Sequence, residues 1–112
     1  EALSKIIVKG MEDKKASDIV IMDLREVKNS MTDFFVVCSG TSNTQVEAIA
    51  DAIEEEVIKT NKEKPWRTEG KNNNQWVLMD YFNVVVHIFL KDQRDFYGIE
   101  ELWGDAKFTY VD

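Results

Sequence analysis

Hydrophobic positions in the first half of the chain indicate a helix, two strands and a second helix. Apolar residues from Leu3 to Met11 recur near helical spacing, which predicts an opening amphipathic helix. Residues 19–22 and 34–38 are compact β-branched and aromatic runs, typical of strands buried on both faces. The cleanest helical stripe follows, at Val46, Ile49, Ala50, Ile53, Val57 and Ile58.

The start of this second helix has its own signal. Ser42 and Gln45 stand at capping-box spacing, in which the hydroxyl and the amide side chain satisfy free backbone N–H groups.

The second half of the chain predicts three strands and a closing helix. Residues 61–65 break the second helix, residues 66–68 form a short edge strand, and residues 69–75 form a polar loop. Two strands joined by a tight turn span residues 76–90, and a helix interrupted at Gly98 spans residues 91–104. This order predicts one layered α/β domain over residues 1–112, with a mixed sheet of about five strands flanked by helices.

The turn of the predicted hairpin carries unexpected residues. Asn83 suits a tight turn, whereas Tyr81 and Phe82 are bulky residues that adopt positive φ only at a cost. Large rings beside a rigid strand pair are typical of binding surfaces. We therefore expect Tyr81 and Trp76 to be exposed anchors of a partner surface, with Phe82 contributing to it.

The alternation of side chains along the first strand of the hairpin places the two anchor rings, Trp76 and Tyr81, on opposite faces. Trp76, Leu78 and Asp80 share one face, and Val77, Met79 and Tyr81 share the other, so one of the two anchor rings belongs to the core unless the strand end twists. We expect Asp80 and Asn83 to set the turn and to supply polar contacts.

Charge and composition favour a protein partner. The 112 residues carry a net charge of −7, which disfavours direct binding to DNA or RNA phosphates. Cys38 is the only cysteine, so no internal disulfide forms, and no apolar run approaches the length of a membrane span. We expect a cytoplasmic protein that has no membrane association.

Few residues suggest a catalytic, anion-binding or metal-binding site. Residues 39–43 join a strand to a helix start and could hold an anion, but they lack the lysine and glycine spacing of a Walker loop. His87, the only histidine, has no partner residues for a zinc site. We therefore expect that the protein is not an enzyme and that it binds no metal and no cofactor.

The alternative function is that of a nucleotidyltransferase-like enzyme or a phosphate-binding module. It would use Ser39 and Gly40 for phosphate and Asp80 for a metal ion, although Leu78 stands where a paired carboxylate is needed.

Blocks of sequence along nearly the whole chain resemble one family. They are residues 32–42, 49–51, 69–70, 76–81, 84–89, 94–97 and 101–105. Their order and intervals are similar to those of the ribosomal silencing factor S family, also called Iojap.

The resemblance implies a fold similar to nucleotidyltransferases without the catalytic carboxylates, and a non-enzymatic activity. Family members bind the fourteenth protein of the large ribosomal subunit at the intersubunit face, block joining of the small subunit and lower translation when nutrients are short. On this chain their contact region falls on Trp76 and the Asp80–Tyr81 turn. Where the family commonly has Gly-Asp, this chain has Phe82-Asn83, which enlarges the docking patch or changes the turn. Both a monomer and a homodimer stay open.

Overall fold

The computed structural model describes residues 2–28 and 30–111, and these residues build one mixed sheet with helices on both faces. The strands are β1 Ser17–Asp23, β2 Phe34–Gly40, β3 Arg67–Glu69, β4 Trp76–Asp80, β5 Val84–Leu90 and β6 Lys107–Tyr110. The helices are α1 Ala2–Asp13, α2 Asn43–Asn61, α3 Lys91–Tyr97 and α4 Ile99–Leu102.

The sheet order is β3-β4-β5-β2-β1-β6. Strands β2 and β5 pair in parallel, and every other neighbouring pair is antiparallel. The short strands β3 and β6 therefore form the two edges of the sheet. The mixed α/β sheet was predicted, and its likeness to nucleotidyltransferases stays a prediction.

Helices α1 and α2 cover one face of the sheet along its centre. Their apolar stripes pack on Val36, Val77, Val86 and other inward residues of β2, β4 and β5. A Cβ atom added at Gly10 would lie 2.9 Å from the Cα atom of Ile53, so a glycine is needed where the two helices cross. The predicted start of α2 is confirmed, because Ser42 Oγ accepts a hydrogen bond from the Gln45 N–H at 3.1 Å.

The opposite face is covered only in part. Ile99 of α4 and the half-buried Trp103 pack with Met22, Phe35 and Phe89 of the central strands. Beyond them, toward the β3 edge, Leu78 and Asp80 of β4 and Val85 of β5 line a groove instead of packing under a helix of the described chain. This layout leaves a strip of sheet open to solvent.

Two details of the closing segment differ from the sequence prediction. Strand β6 was not predicted, so the sheet has six described strands rather than about five. The helix over residues 91–104 is interrupted at Gly98 as predicted, where φ is 57°. Because of this break, the apolar side chains of the segment do not share one face. Ile99 is buried, while Phe96 and Leu102 point to solvent.

Candidate functional site

A groove of about 630 Å³ lies on the open strip of the sheet. We call it the sheet groove, and its lining residues are Ser30, Met31, Thr32, Phe35, Trp66, Arg67, Leu78, Asp80, Phe82, Val85, His87 and Trp103. They come from β2 and the loop before it, the β3 edge, the β4–β5 hairpin and the segment after α4.

The floor of the sheet groove follows from strand register. Leu78 pairs with His87, and Val85 pairs with Asp80 on one side and with Phe35 on the other. Because side chains alternate along a strand, these residues all point to the face that α1 and α2 do not cover. Leu78 and Val85 are only half-buried, so the floor presents apolar surface to solvent.

The rim of the sheet groove carries large exposed apolar side chains. Met31 is 99% exposed, Phe82 is 65% exposed and Trp66 is 61% exposed. The rings of Trp66 and Phe82 touch, with centroids 5.4 Å apart. A contiguous apolar surface of this kind marks an interaction site more often than scattered single residues do.

Tyr81 lies on the other side of the sheet, which overturns the expectation of an exposed ring. Its side chain is 4% exposed and packs with the core beneath α2. Burial raises the pKa of its hydroxyl, and Glu54 and Glu63 add to the rise. The alternation of β4 continues through Tyr81, so this ring joins Val77 and Met79 rather than Trp76.

Trp76 lies on the expected face but outside the sheet groove. Its half-buried ring stacks on Phe89 at 5.0 Å between centroids and contacts Tyr97 of α3 at 4.5 Å. Trp76 and Asp80 are four residue steps apart along β4, a distance of roughly 13 Å. The structure therefore places the two predicted contact positions at opposite ends of one strand.

Asp80 and Asn83 shape the turn as predicted. The Oδ1 atom of Asp80 accepts a hydrogen bond from the Phe82 N–H at 2.8 Å. The carbonyl of Asn83 accepts hydrogen bonds from the N–H groups of Asp33 and Phe34 at 3.0 and 3.1 Å. These contacts attach the hairpin turn to the loop that precedes β2.

His87 lies under the sheet groove as a neutral residue. Burial lowers its pKa to about 3, and its Nδ1 atom accepts a hydrogen bond from the Trp76 indole at 3.1 Å. The proton of the neutral ring is therefore on Nε2, which has no hydrogen-bond partner among the described residues. The Phe35 ring packs edge-on against the imidazole, with centroids 4.5 Å apart.

The loop considered for phosphate is occupied by structural contacts. Ser39 is buried and its Oγ accepts a hydrogen bond from Arg94 at 2.9 Å, while Gln45 Oε1 accepts one from the Thr41 N–H at 2.7 Å. Across residues 2–28 and 30–111, no cluster of three His, Cys, Asp or Glu side chains is placed to hold a metal ion. In the same residues, no helix is long and apolar enough to cross a membrane.

Several groove residues were not singled out from the sequence as site residues. Met31, Val85 and Trp103 carried no local signal, and Trp66 was noted only as part of an edge strand. Alternation in the sequence placed Leu78 on the same face as Asp80, but the other positions depend on which strands are neighbours.

Comparison with known proteins gives the family. A sequence model described as "Ribosomal silencing factor during starvation" matches residues 1–112. Ribosomal silencing factor RsfS of Bacillus subtilis is 38% identical over 112 residues, covering 100% of this chain and 93% of the relative. The chloroplastic protein Iojap of Zea mays is 34% identical over 100 residues, covering 89% of this chain and 42% of the relative.

Solved structures agree with these relatives. A crystal structure of a Chromobacterium violaceum protein has a TM-score of 0.87 at 33% identity, covering 99% of this chain and 91% of that chain. One from Bacillus halodurans has a TM-score of 0.81 at 34% identity, covering 99% and 97%. The fold, the sequence blocks and the match along the whole length together show that this chain belongs to the ribosomal silencing factor family.

Proposed function

We propose that this chain represses translation by docking on a protein of the large ribosomal subunit and blocking association of the small subunit. Membership of the silencing factor family supports the ribosomal role. The partner that the resemblance implies is the fourteenth large-subunit protein, in the cytoplasm. A mouse relative, 27% identical, is named "Mitochondrial assembly of ribosomal large subunit protein 1", which also supports a large-subunit partner.

The open strip of sheet is the observation that supports a docking surface at the sheet groove. Half-buried Leu78 and Val85 form an apolar floor, and exposed Met31, Trp66 and Phe82 stand around it. Burying such rings and aliphatic side chains against a partner supplies most of the binding free energy in protein interfaces. Asp80 and Asn83 then belong to the polar rim, and Trp76 extends the surface toward α3.

Blocking the small subunit requires bulk rather than chemistry. The folded domain measures 34 × 33 × 27 Å, so a copy bound at the intersubunit face occupies space that the other subunit must fill. We infer that it acts without catalysis, since the Ser39 hydroxyl is held by Arg94 and Asp80 accepts a turn hydrogen bond.

Sedimentation with isolated subunits tests this proposal. The protein should pellet with purified large subunits and stay in the supernatant with small subunits. Met31→Glu places a charge at the fully exposed rim and should lower the bound fraction without affecting folding. Tyr110→Glu is the matched control, because Tyr110 is 70% exposed on β6, at the opposite edge of the sheet.

The proposal fails if the parent protein does not pellet with large subunits, or if it pellets equally with both subunits. If the parent binds large subunits and Met31→Glu binds as well as Tyr110→Glu, the docking surface lies away from the sheet groove.

A further inference from the structure

Phe82 has a backbone conformation that its side chain disfavours. Its φ is 73°, in the left-handed region where a bulky L-residue is an outlier. The carbonyl of Tyr81 accepts a hydrogen bond from the Asn83 N–H at 3.0 Å, across Phe82. A bond between residues two apart around a positive φ is the pattern of the classic γ-turn, which is rare and strained.

Neighbouring hydrogen bonds hold Phe82 in this conformation. Its N–H donates to Asp80 Oδ1 at 2.8 Å, and its carbonyl accepts from Thr32 Oγ1 at 2.9 Å. The Tyr81 N–H also donates to the carbonyl of Val84 at 2.8 Å, closing the hairpin. A glycine would make the same backbone contacts without strain.

The Phe82 ring does not offset this strain by packing in the core. It is 65% exposed, and its described ring contact is with Trp66, which is itself 61% exposed. The two rings are inclined at 48° with centroids 5.4 Å apart, so they touch and form one V-shaped aromatic wall on the rim of the sheet groove. Strained residues of this kind concentrate at ligand-binding positions.

We propose that Phe82 and Trp66 together form an aromatic clamp on the rim of the sheet groove, against which one uncharged, apolar side chain of the large-subunit protein packs. This inference rests on the proposed function and makes Phe82 a specificity-determining residue of that docking surface. A shorter residue at position 82 would leave the floor of the groove unchanged but would remove one of the two rings of the clamp.

Local charges favour an apolar side chain over a cation. The guanidinium of Arg67 already lies 5.6 Å from the centroid of the Trp66 ring, and it pairs with Glu69 at 3.4 Å. A second cation at Trp66 would be repelled by Arg67. The carboxylate of Asp80, which lines the groove, accepts the Phe82 N–H and so is already engaged in the turn.

Three variants separate strain from binding. Phe82→Gly removes both the ring and the strain, whereas Phe82→Ala removes the ring but keeps a Cβ atom at positive φ. Tyr110→Ala, which truncates an exposed ring on β6, is the control. Thermal unfolding and the Kd for purified large subunits are measured for each variant and for the parent.

Both Phe82 variants should bind large subunits about tenfold more weakly than the parent, and Tyr110→Ala should bind normally. Phe82→Gly should melt about 4 °C above Phe82→Ala, because only the glycine relieves the strain. If Phe82→Gly is more stable than the parent yet binds large subunits less tightly, the result would support a role of Phe82 in docking rather than in stability.

The clamp is overturned, and the proposed function stands, if the parent binds large subunits and both Phe82 variants bind equally well. It is also overturned if Phe82→Ala melts as high as Phe82→Gly, since Phe82 would then carry no strain. If the parent itself does not bind large subunits, the proposed function fails and the clamp fails with it.

Discussion

The indole Nε1 of Trp76 donates a hydrogen bond to Nδ1 of His87 at 3.1 Å, joining β4 to β5 beneath the open face of the sheet. The two residues are not register partners, because Trp76 pairs with Phe89 and Leu78 pairs with His87. The bond therefore runs diagonally across the hairpin. It satisfies one nitrogen of a buried imidazole.

Removing this donor should destabilise the fold. Trp76→Phe keeps a ring to stack on Phe89 but leaves His87 Nδ1 without a donor, so the free energy of unfolding should fall by about 1–3 kcal/mol. Trp66→Phe, the same change at an exposed ring, should stay within about 0.5 kcal/mol of the parent. Urea denaturation measures both. Equal stabilities for the two variants would show that the Trp76–His87 bond contributes nothing.

The folded protein should lose stability at acidic pH because His87 gains a proton more readily in the unfolded chain. Its pKa is about 3 in the folded protein and 6.5 ordinarily, so the unfolded chain binds a proton that the folded chain excludes as pH falls below 6.5. The unfolding free energy should therefore decrease between pH 6.5 and pH 5, with a slope that approaches about 1.4 kcal/mol per pH unit. Asp23, whose pKa is lowered to about 2 by Arg25, contributes only at lower pH.

His87→Asn isolates this effect, because an asparagine amide oxygen can take the place of Nδ1 as acceptor of the Trp76 hydrogen bond while the residue does not titrate. Its stability should be nearly flat over the same pH range. A slope equal to that of the parent would assign the acid sensitivity to another group.

Tyr81 should behave as a core residue. Tyr81→Ala should lower the unfolding free energy by about 3–5 kcal/mol, the usual cost of deleting a buried ring. Tyr81→Phe should be as stable as the parent or more so, since the buried hydroxyl has no hydrogen-bond partner among the described residues. Denaturant unfolding tests both changes. A Tyr81→Ala variant with parental stability and lost ribosome binding would return Tyr81 to the docking surface.

The alternation of side chains along β4 indicated the face of the sheet on which Tyr81 lies. It placed Tyr81 with Val77 and Met79, and that face is the one beneath α2. The expectation of an exposed ring relied on nearness to the turn, which proved weaker than the alternation. Phe82, one residue further, is the ring that the turn exposes.

Other features depend on contacts between distant segments. Strand β6 has four mostly exposed residues and is defined by its pairing with β1, so no local apolar pattern singled it out. The sheet groove likewise combines Met31, Trp66 and Trp103 because β3 and β2 flank the β4–β5 hairpin. Local hydrophobic patterns predict strands and helices, but they do not specify which strands become neighbours.

Salt should slow docking on a basic protein. The chain carries a net charge of −7, so electrostatic attraction to a basic surface accelerates encounter and is screened as ionic strength rises. The association rate constant for large subunits should fall from low to physiological salt, with a smaller change in dissociation. Stopped-flow or surface-based kinetics measure both rates. An association rate that is indifferent to salt would show that this net charge plays no part in docking.

Inhibition of subunit joining tests the central claim most directly. Purified large subunits are incubated with the protein, small subunits are added, and the fraction of joined ribosomes is followed by light scattering and by gradient sedimentation. The parent should lower that fraction in proportion to the large subunits it occupies, Tyr110→Glu should do the same, and Met31→Glu should inhibit less. Unchanged joining with large subunits saturated by the parent protein would contradict the account.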